Sequence, residues 1–197
     1  MEEPAISDYA LIGDTRTAAL CSSHGSIDWL CLPRFDSEPV FGSLVARNTA
    51  GCFLITAEGI RRVSRRYRDG SAVLETTWHT DSSVVVLTEG MVLDVASGLL
   101  PQALLVRRVE CRDGAGANLR IRFDPRLGLK GTSPRLSRRG DSLVCSWGSL
   151  AVSLQSSRPL NGFTGDEQTF NTFDNWMGSW LMNNNAAMYG NEGSVGA

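Results

Sequence analysis

Up to about residue 158 the chain alternates hydrophobic and polar positions with a period of two, in short runs closed by turn pairs. "TAALCSS" reaches the pair His24-Gly25 and "SIDWLCL" follows it, the pattern of a hairpin. "GCFLITA" predicts another strand. "RRVSRRYR", the turn Asp69-Gly70 and "AVLETTWHT" predict a second hairpin, and Asp81-Ser82 leads into "SVVVLTEGMVL". "ALLVRRVECR", the loop "DGAGA" and "NLRIRF" come next, and "LVCSW" joins "LAVSLQ" across Gly148-Ser149. About ten short strands at regular spacing, rich in Val, Leu, Ile and Thr, predict an all-β fold. The expected architecture is an antiparallel β-sandwich of supersandwich-like type with little helix. In this stretch only "EPVFGSLVAR" reads as helical, with room for one or two turns after Pro39. The strands do not alternate with helical segments, so a doubly wound nucleotide-binding fold is not expected.

The pattern changes near residue 160, which divides the chain into a sandwich over 1–158 and an atypical tail over 159–197. The tail is rich in Asn, Gly and aromatics and carries only acidic charges. Phe170, Phe173, Trp176 or Met177, and Trp180 or Leu181 fall near helical spacing. The composition equally suits a disordered segment, so the tail is expected to be helical or disordered.

Charge and cysteine usage narrow the function classes. The net charge is -2, so no global field points to nucleic acid. The longest apolar runs are far too short to cross a membrane. The N-terminal "MEEPAISDYA" lacks the basic and apolar regions of a signal peptide, which leads to an expected cytoplasmic location. Five Cys stand at 21, 31, 52, 111 and 145, mostly inside apolar runs and without a CxxC pair. They read as reduced core thiols. Only His24 and His79 could join them as ligands, and neither lies beside a Cys, so no metal or other cofactor is expected. Lys130 is the only Lys, and Arg gathers in "RRVSRRYR" and "PRLSRRGD". In the first run Arg61, Arg65 and Tyr67 share one parity, and Arg62, Ser64, Arg66 and Arg68 the other. Cations on both faces read as an edge strand guarded against pairing, with a phosphate or acidic-partner site as the other reading.

The first forty residues carry a specific resemblance. "ISDYALIGDTRTAALCSSHGSIDWLCLPRFDSEPVFGSLV" is similar to the start of bacterial glycoside hydrolase family 15 enzymes of glucoamylase- and trehalase-like type. Asp8, Tyr9, Leu11, Ile12 and Gly13, then Gly25 to Cys31, Pro33 to Ser37, and Phe41 match that pattern. His24 replaces the usual Asp of the turn. "RRVSRRYRDGSAVLETTW" and "LLVRRVECRDGAGANLRIRFDPRLG" resemble later blocks, so the likeness runs from about Ile6 to Leu154; "TEGMVL" departs from it. The resemblance implies a β-sandwich that precedes an (α/α)6 barrel carrying two catalytic carboxylates. A barrel of about twelve helices of ordinary length cannot fit in the last forty residues. The chain therefore reads as a truncated product, an isolated domain, or a chain with an altered end.

Those carboxylates would stand about 6.5–9.5 Å apart in an inverting enzyme. Asp28, Asp36, Glu75 and Glu89 are read instead as solvated or turn-capping groups, and no catalytic residue is expected in this chain. Trp29, Arg34, Phe35 and Asp36 are the candidates for substrate binding or a domain interface. Aromatic faces suit C–H-rich sugar rings, Arg/Asp pairs suit hydroxyls, and Pro33 and Pro39 limit the loop's freedom. Asp14 and Arg16 share that ambiguity. The expected partners are an α-glucoside or the missing barrel, with no nucleic acid and no membrane. A stand-alone carbohydrate-binding or interaction module is the alternative, and an uncovered barrel-facing apolar surface would favour self-association.

Overall fold

The period-two runs fold as strands in the computed structural model, which describes residues 4–93, 103–157 and the strands Gln168–Asn171 and Met177–Asn184. A 3-10 turn over Ile6–Asp8 precedes β1 (Tyr9–Gly13), β2 (Ala18–Ser22), β3 (Ser26–Cys31), β4 (Pro39–Phe41) and β5 (Cys52–Ala57). Then come β6 (Arg62–Tyr67), β7 (Leu74–His79), β8 (Ser83–Met91), β9 (Ala103–Gly114) and β10 (Asn118–Asp124). The last are β11 (Arg135–Arg139), β12 (Ser142–Trp147), β13 (Leu150–Ser156), β14 (Gln168–Asn171) and β15 (Met177–Asn184). One sheet has the order β1-β2-β3-β5-β10-β14, with β4 attached to β3. The other has the order β11-β12-β13-β15-β9-β8-β7-β6. All pairings are antiparallel.

Alternation decides which side of each strand is buried. Along β9, Ala103, Leu105, Val109 and Cys111 face inward, and along β8, Val85, Leu87 and Met91 do the same. Ile27, Phe53, Ile55, Ile121 and Phe123 meet them from the seven-stranded sheet. Phe41, Phe53 and Phe123 pack with ring centroids 5.1–6.2 Å apart, tilted or edge-on, as aromatic quadrupoles prefer. All five thiols are free and four are buried, so cysteine packs here as a small apolar residue.

Two charged residues break the inward pattern. Arg107 and Glu89 occupy core parity, face each other across β8 and β9, and are wholly buried. Arg107 Nε donates to Glu89 Oε1 at 2.8 Å, Nη1 to the Phe53 carbonyl at 2.6 Å and Nη2 to the Gly25 carbonyl at 2.6 Å. Its guanidinium also lies 4.6 Å from the centroid of the Phe53 ring. One side chain of the eight-stranded sheet thus binds two backbone carbonyls of the other sheet. Trp78 makes a second crossing, its Nε1 donating to the Ser23 carbonyl at 3.0 Å. The turn they grip requires glycine. Gly25 has φ +82°, and a Cβ there would stand 2.0 Å from the Ile55 carbonyl and 2.7 Å from the Trp78 ring.

The sandwich, the hairpins and the edge position of β6 agree with the pattern of the chain. Two local expectations do not hold. "EPVFGSLVAR" begins as strand β4 and continues as turns, because Gly42 N donates to the Ala50 carbonyl at 2.7 Å and closes a loop. The helical spacing over Phe170 to Leu181 gives way to β14, paired with β10, and β15, paired with both β13 and β9. The backbone groups along β9 and β13 need partners, and that demand outweighs local composition. The remainder of 159–197 lies outside the described residues.

Arg107→Ala strands a buried carboxylate and is expected to destabilise by roughly 3–5 kcal/mol in chemical denaturation. An Arg107→Met/Glu89→Leu pair is expected to cost less than that single change; equal cost would show that the charges themselves are not the tie. Truncation after Ser157 uncovers β9 and β13, and is expected to lower the melting temperature by roughly 4 °C or more. An unchanged melting curve would remove β15 from the account of stability.

Candidate functional site

The loops at one end of the sandwich are stitched side by side by short-range chemistry. Asp14 Oδ1 accepts from the backbone N–H of Arg16 and of Thr17, both at 2.9 Å, which folds the β1–β2 loop. Thr17 Oγ1 donates to the Cys31 carbonyl at 2.6 Å, and Phe35 N donates to the Arg16 carbonyl at 3.1 Å. The β3–β4 loop is held to that neighbour and braced internally by Arg34 N to Ser37 Oγ at 3.2 Å and Ser37 N to the Arg34 carbonyl at 3.1 Å.

These loops border a cleft of about 530 Å³ lined by Arg16, Pro33, Arg34, Phe35, Asp36 and Ala103. Its volume lies within the range of small-ligand sites. Ala103 is the first residue of β9, so both sheets reach the cleft. Arg34 grips Asp36 in a bidentate pair, Nε to Oδ1 at 2.9 Å and Nη2 to Oδ2 at 2.5 Å. Both side chains are about two-thirds exposed, so this pair adds little to stability. The hydrogen bond from Arg34 holds the Asp36 carboxyl below its ordinary range. The pair offers a planar row of donors and acceptors, and Phe35, 60% exposed, adds an apolar face beside it. A hydroxyl can give to Asp36 and accept from Arg34, and a ring with C–H faces can lie on Phe35.

Trp29 is elsewhere. It stands opposite Leu20, and Leu20 opposite Leu11, on the outer face of the seven-stranded sheet. The β3 bulge between the Ala19 and Cys21 pairings turns both Asp28 and Trp29 outward. Trp29 is therefore not a core residue of its strand, and it does not line the cleft. Leu11 is 55% exposed at the edge and Val45 64% exposed on the loop that follows Leu44, whose N–H binds the Asp28 carbonyl. The four candidates thus divide into a polar-aromatic cleft and an apolar strip.

The carboxylates are committed to partners. Asp28 accepts from Tyr9 Oη at 2.7 Å, Ser26 Oγ at 2.5 Å and Ser43 Oγ at 2.8 Å. Burial, then the bond to Asp28, push the Tyr9 phenol well above its ordinary value. Glu89 is held by Arg107. Glu75 faces outward by parity but is not solvated: it is 3% exposed beneath Arg66, Arg68 and Arg112. Parity alone could not show this, since long arginine stems cover the carboxylate. Glu89, expected to be solvated or turn-capping, is instead wholly buried against Arg107; the missed signal was two opposite charges on core parity in adjacent strands.

Glu75 supports a pH prediction. Burial raises its pKa, but hydrogen bonds from Arg68 and Arg66 outweigh burial, and the net value falls below the ordinary 4.5. The folded state then holds its charge where the unfolded state takes up a proton. Its stabilisation is fully present above about pH 4.5 and is lost as pH falls through the depressed folded value. The melting-temperature difference between the native chain and Glu75→Gln is expected to be largest near neutral pH and to shrink below that point. A difference that stays constant into acid would contradict the pairing.

Comparison with known proteins bears on this arrangement. A family model described as "Trehalase-like, N-terminal" matches residues 1–159. The chain is 42% identical over 91 residues to a trehalase of Mycolicibacterium smegmatis, a match covering 46% of this chain and 14% of that protein. A trehalase of Mycobacterium tuberculosis matches at 42% over 91 residues, covering 46% and 13%. A trehalase of Thermoplasma volcanium matches at 26% over 159 residues, covering 80% and 25%. The matched part thus spans a quarter or less of each of these relatives. No solved structure matches the chain.

Proposed function

The chain belongs to the trehalase-like, N-terminal family, and on that premise we propose that it is the non-catalytic sandwich of a family 15 glycoside hydrolase acting on α-glucosides. The parent enzyme is of trehalase- or glucoamylase-like type, and an (α/α)6 barrel supplies its two carboxylates. The observation that carries this reading is the family match across the sandwich, joined to the small share that the matched part takes of the curated trehalases. The described carboxylates support it. Asp28, Glu75 and Glu89 are fixed in structural networks, and Asp36 is ion-paired. None stands ready as a proton donor beside a partner base, as glycoside hydrolysis requires.

The cleft and the apolar strip take separate parts in this proposal. Arg34, Phe35 and Asp36 face the sugar at the rim of the barrel's pocket, where the ion pair meets hydroxyls and the ring meets C–H groups. Leu11, Leu20 and Trp29 dock against the barrel; Leu11 is exposed and Leu20 and Trp29 half-buried, and an apolar strip left uncovered favours self-association. The free thiols support a reducing, cytoplasmic setting. A second reading, a stand-alone carbohydrate-binding module, draws on the cleft being formed by this chain's own loops.

The purified chain is expected to release no glucose from trehalose or maltooligosaccharides. Turnover that disappears on replacing one carboxylate would overturn the non-catalytic assignment. Arg34→Ala is expected to weaken trehalose binding about tenfold by calorimetry, the loss of roughly one charge-assisted hydrogen bond, without lowering the melting temperature. Trp29→Ala is expected to spare sugar binding and weaken association with a barrel domain supplied as a separate polypeptide. No binding by the intact chain at high millimolar sugar would leave only docking.

A further inference from the structure

Charge gathers in one place on the outer face of the eight-stranded sheet. The ladder sets Arg66 opposite Glu75, Glu75 opposite Thr88, and Thr88 opposite Arg108. Arg66 Nε and Nη2 both donate to Glu75 Oε2, at 2.9 and 2.7 Å. Arg68 Nε donates to Oε1 at 2.9 Å, and Arg112 Nη2 stands 3.8 Å from the same oxygen. Arg112 also approaches Glu110 at 3.6 Å, and Glu110 lies 3.8 Å from Arg108. Arg62, its Nη2 3.0 Å from His79 Nε2, completes the face.

Five guanidiniums therefore share this part of the sheet with Glu75 and Glu110, and Asp69 stands in the adjoining turn. The carboxylate at the centre is sunk, while Arg66 is 72% exposed, Arg68 48% and Arg112 43%. Glu75 draws three like charges to one point, and even with Glu110 and Asp69 counted the five arginines keep a surplus of positive charge. The remaining positive charge faces solvent from a rigid sheet.

We infer that the cluster of Arg66, Arg68 and Arg112 is a docking site for an acidic, extended protein segment, whose Asp or Glu carboxylates bridge the outward guanidinium donors. Charge complementarity commits the occupant: guanidinium forks match carboxylates geometrically, and a compact ammonium would not. β6 is the last strand of its sheet, so a segment can run past it without meeting a further strand of that sheet among the described residues. The same arginines repel the matching edge of a second copy, which favours a partner of opposite charge. This site is independent of the cleft and of the sugar reading.

The test is fluorescence anisotropy of the full chain with a labelled peptide of alternating Glu and Ser, about ten residues long. The expected result is saturable binding at low ionic strength that weakens as salt rises. R66Q/R112Q is expected to weaken it about tenfold, while R135Q/R139Q, on β11 at the opposite edge, leaves it unchanged. R112Q alone leaves Glu75 paired with Arg66 and Arg68, and is expected to lose part of the affinity at an unchanged melting temperature. Absence of binding at low salt, or equal weakening by the β11 variant, would overturn the proposal. So would displacement of the peptide by inorganic phosphate where sodium chloride at equal ionic strength fails, since the cluster would then be a phosphate site.

Discussion

The placement of the two sheets depends on the buried pair Arg107–Glu89. A charge taken out of water is costly unless its donors and acceptors are met. Here the guanidinium is met by a carboxylate on the neighbouring strand, two carbonyls of the opposite sheet and the face of Phe53. Apolar residues alone would tolerate sliding of one sheet over the other, because their attraction is not directional. Three directed hydrogen bonds do not. The Gly25 carbonyl, which takes one of them, also accepts from Ile55 N at 2.9 Å, so the hairpin entering β3 is fixed in both sheets at once. β3 leads directly into the loop that carries Arg34, Phe35 and Asp36, so the cleft inherits its position from this buried tie.

The strands were legible because each buries one face, and alternate burial leaves a period of two in the chain. The edge role of β6 was legible for a related reason: arginines of both parities suit a strand with one open side. Partners were not legible in the same way. β15 lies between β13 and β9, remote in the chain from both, and its Asn- and Gly-rich surroundings carry no mark of which edges it joins. The bulge in β3 displaced Trp29 from the parity expected of a core residue, and a bulge adds a residue without announcing it in composition. Glu75 shows the limit of parity itself, since an outward side chain can still be buried when neighbouring arginines fold over it.

The candidate site was legible as a stretch but not as a geometry. Trp29 and the trio at 34–36 are close in sequence, and the turn of chain after Cys31 sends them to different surfaces. Arg16 lines the same cleft as the trio because Asp14 folds its loop and Phe35 N binds its carbonyl. Ala103 carried no chemical signal at all, and only the meeting of the two sheets brings it there.

The chain separates its surfaces by chemistry. One end holds the polar-aromatic cleft, the outer face of the seven-stranded sheet holds an apolar strip, and the outer face of the eight-stranded sheet holds arginines around a sunk glutamate. A sandwich allows this because the strand alternation that builds its core leaves the opposite parity free on each outer face. The carboxylates obey a common rule as well. Asp28 is gripped by three hydroxyls, Glu75 by arginines, Glu89 by Arg107 and Asp36 by Arg34. A carboxylate bound in that way is held in one place by its partners. A glycosidase acid needs a free proton to give to the leaving oxygen. The same networks that hold this sandwich together therefore occupy these four carboxylates, which supports the proposed non-catalytic role.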